Sequence, residues 1–154
     1  MKHPISLALL CLAASGLVRP AHAADMPPPG PPPTEVVQFS HGKVDHVFST
    51  GGALQVNSLY KVQAGRRIVA GVVEIHTHDN DIFYIVDGTA TFVTGGTPVD
   101  PKEVSPGELR AKSIVGGTEH QLTKGDVILI PHGIPHQFTK VDAPFLYFVV
   151  KVTE

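Results

Sequence analysis

The sequence predicts an all-β domain, a sandwich or barrel of short antiparallel strands. From Thr34 onward apolar residues alternate with polar ones or form short runs, and Gly or Pro interrupts them roughly every eight to twelve residues. No stretch there shows a convincing helical period. Many short strands in one modest chain bury their faces best when antiparallel sheets close on one another.

Taken from the N-terminus, the first element is not part of the fold. Lys2 gives a basic start, Ile5 to Val18 is an apolar run, and Ala21-His22-Ala23 supplies small residues for cleavage after Ala23. The run is shorter than the roughly 20 residues a transmembrane helix needs, and Arg19-Pro20 ends it. The expectation is a signal peptide over 1–23, export to the periplasm or beyond, and no stable membrane insertion. A Pro-rich linker over 24–40 follows, with PPPGPPP as an extended spacer. One domain over 41–154 remains. Strands are expected at 44–48, 54–62, 67–70, 72–77, 82–87, 89–94, 108–114, 119–122, 126–130, 135–140 and 145–152. The segment 95–107, rich in Gly and Pro, reads as a surface loop with room to act as a lid.

Composition narrows the functions. The chain has 12 Lys and Arg against 14 Asp and Glu, and Lys2 and Arg19 fall in the leader, so no basic run faces a phosphate backbone and nucleic acid is not an expected partner. Cys11, the only cysteine, also falls in the leader, which leaves no disulfide, thiolate nucleophile or thiolate ligand. Any metal must use His and carboxylate. Of nine histidines, His41, His46, His76, His78, His120, His132 and His136 lie beyond the leader.

Two stretches carry the chemistry. In HTHDNDIFYIVDG, 76–88, strand alternation sends His76 and His78 to one face about 6.6–7 Å apart, and Glu74 shares their parity. Asp79-Asn80 reads as a two-residue hairpin turn, which would pair His78 with Asp81 and His76 with Phe83. In GDVILIPHGIPHQFTK, 125–140, Gly125 opens a strand, Pro131-His132-Gly133 turns, and His136 and Phe138 share a face. His76, His78, His136 and Asp81 together make an N/O set suited to a divalent transition metal: Fe, Mn, Ni, Cu or Zn. Arg66-Arg67 sends one guanidinium inward by alternation, while His132 at its turn reads as a surface residue.

These stretches resemble the two motifs of a single-domain cupin. The second matches at Gly125, Pro131, Gly133 and His136 and departs at its end, where Lys140 stands for Asn. The first matches at His76, His78 and Gly88, but only four residues separate Gly71 from His76, and the acidic position is Asp81, with two residues between it and His78. The resemblance implies a cupin-type antiparallel β-barrel (a double-stranded β-helix or jelly roll) with the metal inside, commonly as a homodimer. Asp81 is then either the fourth ligand or a turn residue, with Glu74 as the reserve carboxylate. Two classes of function follow. One is a metal-dependent enzyme on a small organic molecule, dioxygenase-type chemistry ranked first, in which Glu74, Asp81 or Tyr84 handles a proton. The other is a non-catalytic module that binds a small molecule, a sugar or the metal itself.

Overall fold

The structure, a computed structural model, describes residues 29–154; the expected signal peptide lies outside them. Helix α1 (His41–Thr50) opens the domain where a strand was expected. Val44, Val47 and Phe48 sit at helical spacing and turn inward, Ser40 caps the N-terminus by accepting from Lys43 N at 3.4 Å, and Gly51 at φ 74° closes the C-terminus onto Val47 O. The Phe48 ring packs on Phe148 with centroids 4.9 Å apart.

The strands are β1 (Gly52–Val56), β2 (Tyr60–Arg67), β3 (Val73–His76), β4 (Asp79–Thr94), β5 (Thr97–Val99), β6 (Lys102–Ser105), β7 (Glu108–Ala111), β8 (Ser113–Val115), β9 (Thr118–Thr123), β10 (Val127–Ile130) and β11 (His136–Thr153). The expected 54–62 strand is two, because Asn57 Oδ1 takes the amides of Leu59 and Tyr60 and turns the chain. The loop expected at 95–107 contains β5 and β6. Within the segment read as a spacer, Gly30 bridges to Asn57.

Two long strands organise the rest. β4 and β11 pair antiparallel from Thr94–His136 to Asp79–Thr153. The other edge of β4 takes β10 and then β9, while β11 takes β2 along its second half and β3 at Glu74–His136. Both long strands switch faces midway. Asp79, Asp81, Phe83 and Ile85 are buried at odd positions of β4, whereas after Gly88 the buried residues are Ala90 and Phe92. On β11, His136 and Phe138 give way to Phe145, Tyr147 and Val149 across the bulges between them. The inward face is an aromatic core: Phe83, Phe92, Phe138, Phe145 and Tyr147 contact one another with centroids 4.4–5.8 Å apart.

The expected Asp79-Asn80 hairpin does not form. β3 pairs with β7 and β11, not with β4, and Asp79 already lies in β4 opposite Thr153. A bend at Thr77-His78, held by Thr77 N to Gly107 O at 2.9 Å, carries the chain from one part of the barrel wall to another. The pairs His78–Asp81 and His76–Phe83 are therefore absent. The helix is short, and among the described residues no helix is long and apolar enough to cross a membrane.

Gly88 is the hinge of the face switch. At φ 83° a Cβ there would also meet Pro144 O at 2.8 Å. Gly95 has φ 73° with open space around it. Urea unfolding should show Gly88→Ala losing about 3 kcal/mol and Gly95→Ala only about 1 kcal/mol, since both carry the left-handed penalty and only the first adds a backbone clash.

Candidate metal centre

Cross-strand pairing assembles the site from residues far apart in sequence. On the central strand β3, Glu74 and His76 share a face, and their register partners on β7 are Arg110 and Glu108. His136, the first residue of β11, stands opposite Glu74. Asp81 on β4 stands between Ile130 on β10 and Lys151 on β11. Directly opposed residues lie on the same face of a sheet, so all of these side chains converge at one end of the barrel.

The donor atoms of Glu74, His76 and His136 lie within 4.8 Å of one another. Asp81 Oδ2 is 3.4 Å from His76 Nε2 and 3.8 Å from His136 Nε2, and Glu74 Oε2 is 3.8 Å from His76 Nε2. Both imidazoles are oriented from behind. His76 Nδ1 donates to Glu108 Oε2 at 2.8 Å, and His136 Nδ1 donates to Ile134 O at 2.9 Å. Each acceptor fixes the tautomer and leaves an Nε2 lone pair turned toward the carboxylates, the arrangement a metal-binding histidine needs. The donor set therefore fits a transition-metal ion with two nitrogen and one or two oxygen ligands.

A cation of the protein already stands there. Lys151 Nζ donates to both oxygens of Asp81 at 2.7 Å and lies 2.8 Å from His76 Nε2. Around it, Arg67 donates to Glu74 Oε1 and to the Tyr147 hydroxyl at 3.2 Å each, with its guanidinium 4.7 Å above the Phe138 ring. Arg110 pairs with Glu108 at 3.2 Å and Glu74 at 3.7 Å, and Lys61 with Asp79 at 2.7 Å.

These contacts set the protonation. Burial alone would raise the carboxyls of Glu74 and Asp81, yet Arg110 and Arg67 hold Glu74 below its ordinary value, and His76 and Lys151 do the same for Asp81. Burial pushes His136 down, which keeps it neutral. Burial and the Lys151 ammonium disfavour a charge on His76, while Asp81 and Glu108 favour one. A proton on its Nε2 would point at the Lys151 ammonium, so the two nitrogens share one proton: with Lys151 charged, His76 is neutral and accepts from it.

Two sequence expectations are corrected. His78 does not join His76: β3 ends at His76, and His78 is exposed in the bend at the mouth of the cleft. The pair two residues apart on the inner face is Glu74 and His76. Tyr84, expected to handle a proton, is 48% exposed on the outer face, because alternation in β4 turns Phe83 and Ile85 inward. Asp81 reaches the imidazoles, but through β4 and β11 and not through a hairpin. His132 is on the outside, and His120 on β9 bonds the Thr94 hydroxyl. Lys151, Glu108 and Arg110 were missed. The Lys151 signal was present: it continues the inward parity of Phe145, Tyr147 and Val149, a charge on a core face.

A cleft of about 590 Å³ opens onto the cluster, lined by Lys61, Glu74, His76, Glu108, Arg110 and Lys151 among others. Behind it a pocket of about 90 Å³ reaches Phe83, Phe138 and Tyr147.

Comparison with known proteins bears on the fold. The AraC-like ligand binding domain family matches residues 110–154. No curated sequence matches the chain. Among solved structures, a hydroquinone 1,2-dioxygenase in complex with Cd2+ and 4-hydroxybenzonitrile is 15% identical, covering 80% of this chain and 82% of that one at TM-score 0.56. A Bacillus halodurans protein is 16% identical, covering 80% and 83% at TM-score 0.55. The Sphingomonas sp. TTNP3 hydroquinone 1,2-dioxygenase with 4-hydroxybenzoate bound is 14% identical, covering 80% and 83% at TM-score 0.52. The fold is the cupin-type β-barrel.

Glu108 gives the site a measurable acid signature. Burial works to raise its carboxyl, but the His76 hydrogen bond, with Lys151 and Arg110, brings it down to about 2 from 4.5. An unfolded chain takes up that proton near pH 4.5 while the folded one resists until about 2, so the stabilisation is complete above pH 4.5 and lost as pH falls toward 2. Denaturant titrations should find wild type ahead of Glu108→Gln by about 2–3 kcal/mol at pH 6, with the gap closing toward pH 2.

Proposed function

We propose that this protein is a metal-dependent cupin enzyme acting on a small polar organic molecule, with dioxygenase-type chemistry first among the reactions its ligand set suits. The observation that carries the reading is the paired Nε2 lone pairs of His76 and His136, each fixed by an acceptor behind it and facing Glu74 and Asp81. Glu74, His76 and His136 would hold the ion, with Asp81 beside them. A bound divalent ion supplies Lewis-acid polarisation of a substrate oxygen or, for a redox-active metal, electron transfer with O2.

The chain's own groups do the rest. Arg110 and Lys61 line the cleft and can orient a polar substrate, while Phe83 and Phe138 close the inner end against water. Glu74, held ionised by Arg67 and Arg110, is placed to accept a proton from a substrate hydroxyl. Two solved structures with this fold are hydroquinone 1,2-dioxygenases, one in complex with Cd2+, which supports phenol-like compounds as the first substrates to screen. Export after cleavage near Ala23, and a homodimeric state, belong to the same reading and rest on the sequence.

A second reading is a non-catalytic binder, favoured by the AraC-like ligand binding domain match and by an ammonium standing among the donors. Oxygen uptake and product formation with phenols separate the two, since a binder returns its ligand unchanged.

Metal analysis of protein purified without chelators should find about one transition-metal ion per chain. Glu74→Ala, His76→Ala and His136→Ala should each lose about 90% of it or more, a drop of the order expected when one ligand of a small set is removed. His78→Ala should keep it. Equal retention in all four variants would remove the centre.

A further inference from the structure

We infer that Lys151 is a tethered counter-ion that occupies the metal's place in the metal-free protein, so that an incoming divalent ion must displace its ammonium into the cleft. The inference rests on the metal-centre reading above and concerns what that centre does before it is loaded.

Position is the first argument. A cation bound by Asp81 and His76 would have to lie within reach of both Asp81 oxygens and of His76 Nε2, and Lys151 Nζ meets these at 2.7, 2.7 and 2.8 Å. The ammonium thus engages the His76 Nε2 lone pair a metal would use and the Asp81 carboxylate beside it. It cannot share them, because an ammonium is donor-only and a metal needs the electron pairs it is donated into. Competition is therefore built into the site.

Charge is the second. The cluster holds four carboxylates, Glu74, Asp79, Asp81 and Glu108, and four cations, Lys61, Arg67, Arg110 and Lys151, with both histidines neutral. Lys61 is committed to Asp79 and the two arginines to Glu74 and Glu108, so of these four cations Lys151 is the one that compensates Asp81, which is 1% exposed. An uncompensated carboxylate at that depth is costly, and this gives the unloaded barrel a stable form. The exit is also present: Lys151 lines both the inner pocket and the open cleft, so its long side chain can leave the donors without unfolding β11. Displaced, the ammonium stands in the cleft with no carboxylate of its own, which suits an anionic group on the ligand.

The test uses chelator-stripped full-length protein titrated with Zn2+ by calorimetry, beside its thermal midpoint. Lys151→Met should bind Zn2+ at least about tenfold more tightly than wild type, whereas Lys151→Arg, which keeps a cation there, should not. Without metal, Lys151→Met should melt about 10 °C lower and recover with Zn2+. Should Lys151→Met fail to fold unloaded, Asp81→Asn with and without Lys151→Met removes the buried charge, and the double variant should still bind more tightly than Asp81→Asn alone. Zn2+ binding by wild type that Lys151→Met or the double variant does not tighten would overturn the inference while leaving the metal centre intact. An unchanged metal-free midpoint would overturn the counter-ion role. No Zn2+ binding by either wild type or Lys151→Met would overturn the metal centre itself, and the inference with it.

Discussion

The structure depends on the antiparallel ribbon of β4 and β11. Side chains alternate across a strand, so whichever register these two adopt decides which residues enter the barrel and which face solvent. Their shared register sends Asp81, Phe83 and Ile85 inward from one half of β4, and Tyr147, Val149 and Lys151 from the matching half of β11. The bulges opposite Gly88 then reset the pleat, which lets His136 and Phe138 point inward from the other half of β11. A slip of one residue would exchange the aromatic core for Tyr84 and Phe148 and move Asp81 to the surface. Core and site are thus two ends of one register.

The same register explains how so many charges are tolerated. Six of the eight ionised groups are less than a quarter exposed at the side chain, and Lys61 and Arg110 are at about that limit. Each meets an opposite charge, several of them across a strand pair or one strand away. Such pairs contribute little net stability compared with apolar residues of the same size, because desolvation offsets most of the attraction. What they provide is orientation. Glu108 exists in the site to hold His76 by its Nδ1, and Arg67, stacked on Phe138 and bonded to Tyr147, holds Glu74 against the two imidazoles.

Much of this could be read from the sequence, and the parts that could not are of one kind. Alternation with frequent Gly and Pro gave the all-β class, and Phe138, Phe145 and Tyr147 as core follow from parity within one strand. His76, Asp81, Glu74 and His136 were also within reach, since each sits in a short motif. What local sequence does not encode is which strand pairs with which. Asp79-Asn80 has turn chemistry, and a hairpin is the cheapest way to use it, but β3 gains more by pairing with β7 and β11. That choice ended the strand at His76 and left His78 outside. Glu108 and Arg110 come from the strand whose pairing with β3 no local signal announces. Helix α1 is different: Ser40, Gly51 and the Val44, Val47, Phe48 spacing are local helix signals, short enough to be outweighed by the alternating pattern around them.

One further consequence follows from β11 carrying both His136 and Lys151. A nitrogen donor and the cation that excludes a metal from the donors are anchored on the same strand, on opposite sides of its bulged centre. Lys151 lies where β11 pairs with β2 and β4 on both edges, so its backbone is fixed while its side chain remains free to rotate toward the cleft. His136 has no such freedom, because Ile134 O holds its ring and Phe92 packs 5.8 Å from it. Of the groups that meet at the centre, the imidazoles and Asp81 are therefore the rigid template and the lysine is the movable part. Loading the site then requires one side chain to change rotamer, not the barrel to open, which is how a tightly registered β-fold can keep a buried polar cluster accessible from solvent.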